Sequence, residues 1–240
     1  MPDHPLPDCF PPYDEAGQPQ VPIEGYAATA RRNPARALFR RPHTRTELTG
    51  PLDPAAKLVP GEGNLAVPGP GRVALGQLIH ISGRVLDEDG RPVRGAVLEI
   101  WQANAAGRYA NPLDAARDAP LDPNFVGHGR VATDAEGRYG FFTVKPGAYP
   151  VPGGPGRWWR PPHVHVSVIG PSSLSRLVTQ MYFPGDPLNP LDRILNALPD
   201  PAARERLIAR QTDPAEVEGE WLAYRFTLVL RGRRATPPLP

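Results

Sequence analysis

Between residues 78 and 230 apolar and polar positions alternate in short runs, the period of a half-buried strand. LIHISGRVL at 78–86, AVLEIWQ at 96–102, the run at 129–133, RYGFFTV at 138–144, HVHVSVIG at 163–170, LVTQMYF at 177–183 and AYRFTLVL at 223–230 are rich in β-branched and aromatic residues. Turn chemistry separates them: DEDGRPVRG follows the first run, and DAEG at 134–137 divides the third from the fourth. So many short strands at this spacing predict a mainly β fold, a β-sandwich core with few short helices. The clearest helix covers 201–210, where Asp200 stands as N-cap and Pro201 occupies the first helical position.

The pattern before residue 77 is different. Residues 1–76 hold few periodic apolar runs and many breakers, as in NLAVPGPGR, and read as an extended proline-rich N-terminal arm with one short helix at 33–40. Residues 77–240 form the β-sandwich domain. Within the arm Arg31, Arg32, Arg36, Arg40, Arg41 and Arg45 run without an intervening acid. That run suits phosphate groups, but almost no aromatics interleave it, so a solvated or intersubunit face is the simpler reading.

Composition narrows the function. The 240 residues include 34 prolines and 24 glycines, yet 40% are hydrophobic, enough for a folded body. A net charge of +2 supplies no general attraction for nucleic acid or for a membrane surface. The single cysteine, Cys9, excludes an intrachain disulfide and a cluster held by several thiolates. No apolar run approaches the roughly 20 residues that span a bilayer, and no leader pattern opens the chain, so a soluble cytoplasmic protein is expected. Neither a G-x-G-x-x-G nor a P-loop pattern occurs.

The sharpest chemical signal is WWRPPHVHVSV. On a strand His163 and His165 share one face while Val164, Val166 and Val168 take the other. Two imidazoles on one face can share a metal, although the pair alone reads equally well as structural. A catalytic metal needs further ligands, and no acid lies near the pair in sequence. The anionic candidates are Tyr149, in KPGAYP, and Tyr109, which follows AAGR. A phenol with a reference pKa of about 10 ligates as an anion only beside a hard, highly charged cation such as ferric iron. His4, His43, His80 and His128 have no comparable partner in sequence and read as structural or exposed.

With these residues in view, the stretches GRVLDEDGRPVRGAVLEIWQANAAGRY, APLDPNFVGHGRVATDAEGRYGFFTVKPGAYP, RPPHVHVSVIGPS, LVTQMYFPGDP and LAYRFTLVLRG closely resemble the intradiol ring-cleaving dioxygenases. The similarity runs over roughly residues 26–234. It implies a non-haem Fe(III) centre with Tyr109, Tyr149, His163 and His165 as metal ligands. It further implies Arg160, Tyr149 and Gln180 as catalytic residues, and Tyr26 and Arg160 as substrate-binding ones. In the implied reaction O2 cleaves a catechol ring between its two hydroxyl-bearing carbons. Tyr149 accepts a substrate proton, Arg160 stabilises developing negative charge, and Gln180 is a polar neighbour.

The APLDPNF and GRY contexts favour 3,4-dihydroxybenzoate, giving 3-carboxy-cis,cis-muconate, over catechol or hydroxyquinol. A non-catalytic structural subunit is a further, weaker reading. The resemblance also implies a homologous α chain as partner in an αβ heteromer of higher order. Three features depart from the family pattern: a longer segment between Tyr149 and His163, Val151 where an aromatic often stands, and the Gly/Pro-rich stretch at 50–71. The first two bear on pocket shape.

Overall fold

The computed structural model describes residues 17–19, 23, 26, 54–112, 114, 118–151, 158–170, 176–213, 221–232 and 234–239. The helix expected at 33–40, the arginine run and Cys9 lie outside the described residues.

Eleven strands carry the described part of the chain: β1 (Leu78–Leu86), β2 (Val97–Trp101), β3 (His128–Ala132), β4 (Arg138–Val144), β5 (Tyr149–Pro150), β6 (Trp159–Arg160), β7 (His163–Ile169), β8 (Arg176–Tyr182), β9 (Arg210–Thr212), β10 (Leu222–Arg225) and β11 (Leu228–Val229). In the first sheet β1 pairs antiparallel with β4 and parallel with both β10 and β11, and β9 lines the edge of β10. The second sheet is antiparallel throughout, in the order β3-β2-β7-β8. β5 and β6 form a separate two-stranded ribbon.

The sandwich follows from strand alternation. Ile79, Ile81 and Val85 of β1 and Phe141 of β4 meet Leu98 and Ile100 of β2, Val164, Val166 and Val168 of β7, and Leu177 and Met181 of β8 in one buried cluster. Side chains at the intervening positions of β2, β7 and β8 are therefore turned to the outer face of the second sheet. Register places Trp101 and Gln180 beside His165, and Tyr182 beside His163, on that face. A second apolar cluster gathers around Tyr182, with Ile23, Val151, Trp158, Ile194, Leu198, Leu207 and Leu239.

Residues 63–74 are built into the body. The Phe142 carbonyl accepts from the Leu65 N–H at 2.8 Å, the Phe142 N–H donates to the Gly63 carbonyl at 2.8 Å, and Leu65, Ala66 and Ala74 join the main core.

Tertiary contacts override local pattern in two places. The helix expected over 201–210 stops early: α1 covers Pro201–Glu205, capped by the Asp200 carboxylate, which accepts from the Ala202 N–H at 2.9 Å. The chain then leaves the helix because β8 takes its backbone groups. The Tyr182 N–H donates to the Leu207 carbonyl at 2.8 Å, and the Ala209 N–H donates to the Tyr182 carbonyl at 2.9 Å. The run at 223–230 is split into β10 and β11 at Phe226, whose N–H donates to the Ser82 carbonyl and whose own carbonyl accepts from Tyr139 Oη at 2.6 Å. Among the described residues no helix is long and apolar enough to cross a membrane.

Candidate metal centre

Two loops bring the tyrosines to the outer face of β7. After β2, Asn104 organises the first loop: its Oδ1 accepts from the Ala106 and Arg108 N–H groups, each at 2.9 Å, and its Nδ2 donates to the Pro120 carbonyl at 2.9 Å. Tyr109 is then held by its N–H, which donates to Asp114 Oδ2 at 2.8 Å. The second loop leaves β4 and enters β5 at Tyr149. Two glycines let the loops interlock. A Cβ on Gly107, whose φ is +80°, would stand 2.3 Å from the Ala148 carbonyl oxygen, and one on Gly147 would stand 2.4 Å from that of Ala105. Only glycine permits this approach.

The result is a convergence of four donor atoms. Tyr109 Oη lies 3.0 Å from His165 Nε2, Tyr149 Oη lies 3.2 Å from His163 Nε2, and the two phenol oxygens are 3.4 Å apart. His163 Nδ1 donates to the Pro161 carbonyl at 2.7 Å, so the lone pair of its Nε2 faces the tyrosine. The His165 ring stacks on Trp101, with centroids 4.8 Å apart and planes 6° apart.

Burial keeps all four donor groups uncharged on their own. Burial, reinforced by Tyr149, raises the Tyr109 phenol well above its ordinary range, and burial likewise raises Tyr149. Two phenolates this close need a compensating positive charge. Burial and the Arg160 charge hold His163 well below its usual value and bring His165 down to about 3, so both imidazoles offer neutral nitrogen. Among the described residues no group of three or more His, Cys, Asp or Glu side chains is placed to hold a metal. The two-nitrogen, two-phenol donor set therefore fits a hard trivalent ion better than zinc.

Arg160 lies opposite Tyr149 on the β5–β6 ribbon and is only 1% exposed. Burial opposes its charge, but Tyr182, Asp192 and the site tyrosines outweigh that and raise its pKa. Nη2 donates to Gln180 Oε1, to Tyr182 Oη at 2.8 Å and to Asp192 Oδ2 at 3.2 Å, and Nε lies 3.1 Å from Asp192 Oδ1. Among the described residues Nη1 makes no hydrogen bond. The half-buried Tyr26 packs against the second cluster and adds to the upward shift of both Tyr109 and Tyr149. All seven expected site residues are thus drawn to one region of the fold.

Sequence reasoning missed Tyr182 and Asp192. Tyr182 was legible, because it follows Gln180 by two positions on one strand and so shares its face. Asp192 carries no such signal, being 32 residues from Arg160 in an irregular segment. Val151 is buried, and its N–H donates to the Trp158 carbonyl at 3.0 Å. The Trp158 side chain belongs to the same apolar cluster as Val151. His80 lies against Phe142 with centroids 4.6 Å apart, and His128 is exposed; neither joins the four donors.

Comparison with known proteins finds matches along most of the chain. A family model described as "Dioxygenase" matches residues 62–232. The protocatechuate 3,4-dioxygenase beta chain of Burkholderia cepacia is 47% identical over 232 residues, covering 96% of this chain and 97% of that one. The protocatechuate 3,4-dioxygenase alpha chain of Pseudomonas putida is 34% identical over 169 residues, 68% of this chain and 76% of that one. Among solved structures, catechol 1,2-dioxygenase from Acinetobacter sp. ADP1 superposes with a TM-score of 0.51 at 28% identity, over 70% of this chain and 56% of that one.

Proposed function

The chain belongs to the intradiol ring-cleaving dioxygenases, and from that premise we propose that it cleaves 3,4-dihydroxybenzoate with O2 to 3-carboxy-cis,cis-muconate at an iron(III) centre. The observation that carries this reading is the convergence of two phenol oxygens and two imidazole nitrogens within 3.0–3.4 Å of their neighbours. The choice of substrate is supported by 47% identity over nearly the whole length of a protocatechuate 3,4-dioxygenase beta chain.

Tyr109, Tyr149, His163 and His165 would hold the metal. Ferric iron held there would supply Lewis acidity toward a catechol, its charge balanced by the phenolates. Tyr149 Oη would accept one catechol proton, and Tyr109, His163 and His165 would hold the metal. Arg160, its charge fixed by burial and pairing, stabilises negative charge that grows on the ring, with no reorganisation needed during the reaction. Gln180 holds the guanidinium by accepting from Nη2, and Tyr26 contacts the substrate ring. A homologous α chain completes the part of the pocket that takes the substrate carboxylate, so the working enzyme is an αβ heteromer.

Oxygen uptake tests this reading. Iron-loaded protein, alone and co-expressed with an α-type homologue, is supplied with 3,4-dihydroxybenzoate, catechol or hydroxyquinol. One O2 consumed per 3,4-dihydroxybenzoate, with the carboxymuconate as product, is the expected result. Turnover restricted to catechol or hydroxyquinol would reassign the substrate, an outcome for which Val151 is the specific motive. No uptake with any of the three would remove the catalytic reading.

A further inference from the structure

The counter-charge of Arg160 is Asp192, and it comes from a segment far from the H-x-H strand. Withdrawing two charges from water is offset only where the geometry is good and the remaining lone pairs are satisfied. Asp192, itself fully buried, meets that condition. Its Oδ1 accepts from the Ile194 N–H at 3.1 Å besides facing Arg160 Nε, and its Oδ2 accepts from Tyr182 Oη at 2.9 Å besides Arg160 Nη2. Its backbone is fixed as well: the Asp192 carbonyl accepts from the Asn196 N–H at 3.0 Å and from Asn196 Nδ2 at 2.8 Å.

Three groups thus compete for the Nε and Nη2 side of the guanidinium: Asp192, Tyr182 and Gln180. A planar fork held along one edge has its remaining edge fixed in direction. That edge is Nη1, which makes no hydrogen bond among the described residues. The field of Arg160 is already felt at Tyr109, Tyr149, His163 and His165.

We propose that Asp192, together with Tyr182, is a positioning residue for ring cleavage: it clamps Arg160 by Nε and Nη2 so that Nη1 is kept for the substrate's developing negative charge. The inference rests on the functional reading above. It ties the catalytic guanidinium to the 189–198 segment, which sequence pattern alone leaves without a role.

The test uses the iron-loaded protein with its partner chain and the variants Asp192→Asn, Tyr182→Phe, Arg160→Gln and the double variant Arg160→Gln/Asp192→Asn. Asp192→Asn keeps size and an acceptor but removes the charge. It is expected to retain iron and anaerobic affinity for 3,4-dihydroxybenzoate while kcat falls by about 100-fold, the cost of an ångström-scale misplacement. KM is expected to move by less than about threefold, and Tyr182→Phe to show the same split at smaller size. In the Arg160→Gln background, Asp192→Asn is expected to add less than about a further twofold, because nothing is left to position.

Losses that multiply in the double variant would overturn the proposal, as would an Asp192→Asn enzyme with unchanged kcat. Should Asp192→Asn fail to fold, an unchanged kcat in Tyr182→Phe overturns it equally. Wild-type protein without ring cleavage removes the functional reading and the proposal together, whereas an active wild type with unaffected variants removes the proposal alone.

Discussion

Gly107 and Ala148 touch through their backbones, so closely that a single Cβ on Gly107 would stand 2.3 Å from the Ala148 carbonyl oxygen. This contact sets the distance between the loop that carries Tyr109 and the loop that carries Tyr149. Gly107→Ala adds both the cost of a side chain at φ +80° and a collision with backbone that cannot rotate away. The two phenols are then forced apart, and metal affinity is expected to fall by about 10–100-fold, the range for changes that disturb the support of metal ligands. Iron per chain after dialysis against a chelator, measured beside wild type, checks this; full retention would show that the contact does not set the site.

The two tyrosines differ in their partners, and their variants should differ too. Tyr109 Oη is 3.0 Å from His165 and its backbone is tied to Asp114, whereas Tyr149 sits on the two-stranded ribbon facing Arg160. Tyr109→Phe is expected to weaken iron retention. Tyr149→Phe is expected to keep iron better but to slow substrate deprotonation, lowering kcat by about 100-fold, within the usual range for losing a proton acceptor. Iron analysis and single-turnover kinetics separate the two, and equal iron loss in both variants would deny them distinct roles.

Much of this site is legible in the amino-acid sequence. Alternation alone put His163 and His165 opposite Val164, Val166 and Val168, because β7 has one face in the core and one outside it. The pairing of that strand with Gln180 and Trp101, by contrast, is a matter of register between strands distant in sequence. The β5–β6 ribbon is too short to leave a periodic trace, yet it is what sets Tyr149 against Arg160. The shortened helix after Asp200 and the break at Phe226 share one cause: backbone groups that local sequence would pair locally find partners on β8 and β1. Asp192 was invisible for the same reason, since only the folded chain brings it to Arg160.

The break at Phe226 makes a stability prediction that leaves the chemistry alone. Tyr139 is buried, its phenol raised by desolvation, and its Oη donates to the Phe226 carbonyl at 2.6 Å. Gly83 lies against the same carbonyl, where a Cβ would stand 1.8 Å away. Tyr139→Phe keeps the ring and removes only the donor, leaving the carbonyl short of a partner. A loss of about 1–3 kcal/mol is expected from urea unfolding, with iron content and kcat unchanged. A variant as stable as wild type would mean that another donor replaces the phenol.

Acid should weaken the metal-free fold through the same two imidazoles that would hold iron. Burial and Arg160 lower both folded-state values, His165 to about 3 and His163 well below its usual range. Below the unfolded-state value of about 6.5 the unfolded chain binds protons that the folded chain excludes. The stabilising contribution is therefore complete above that pH and declines as pH falls toward about 3, at up to about 1.4 kcal/mol per pH unit for each histidine. Urea midpoints of chelator-treated protein, taken from pH 7 down to about pH 4, should fall steeply, and the His163→Gln and His165→Gln variants should each flatten the slope. Equal slopes in wild type and variants would assign the acid sensitivity to carboxylates instead.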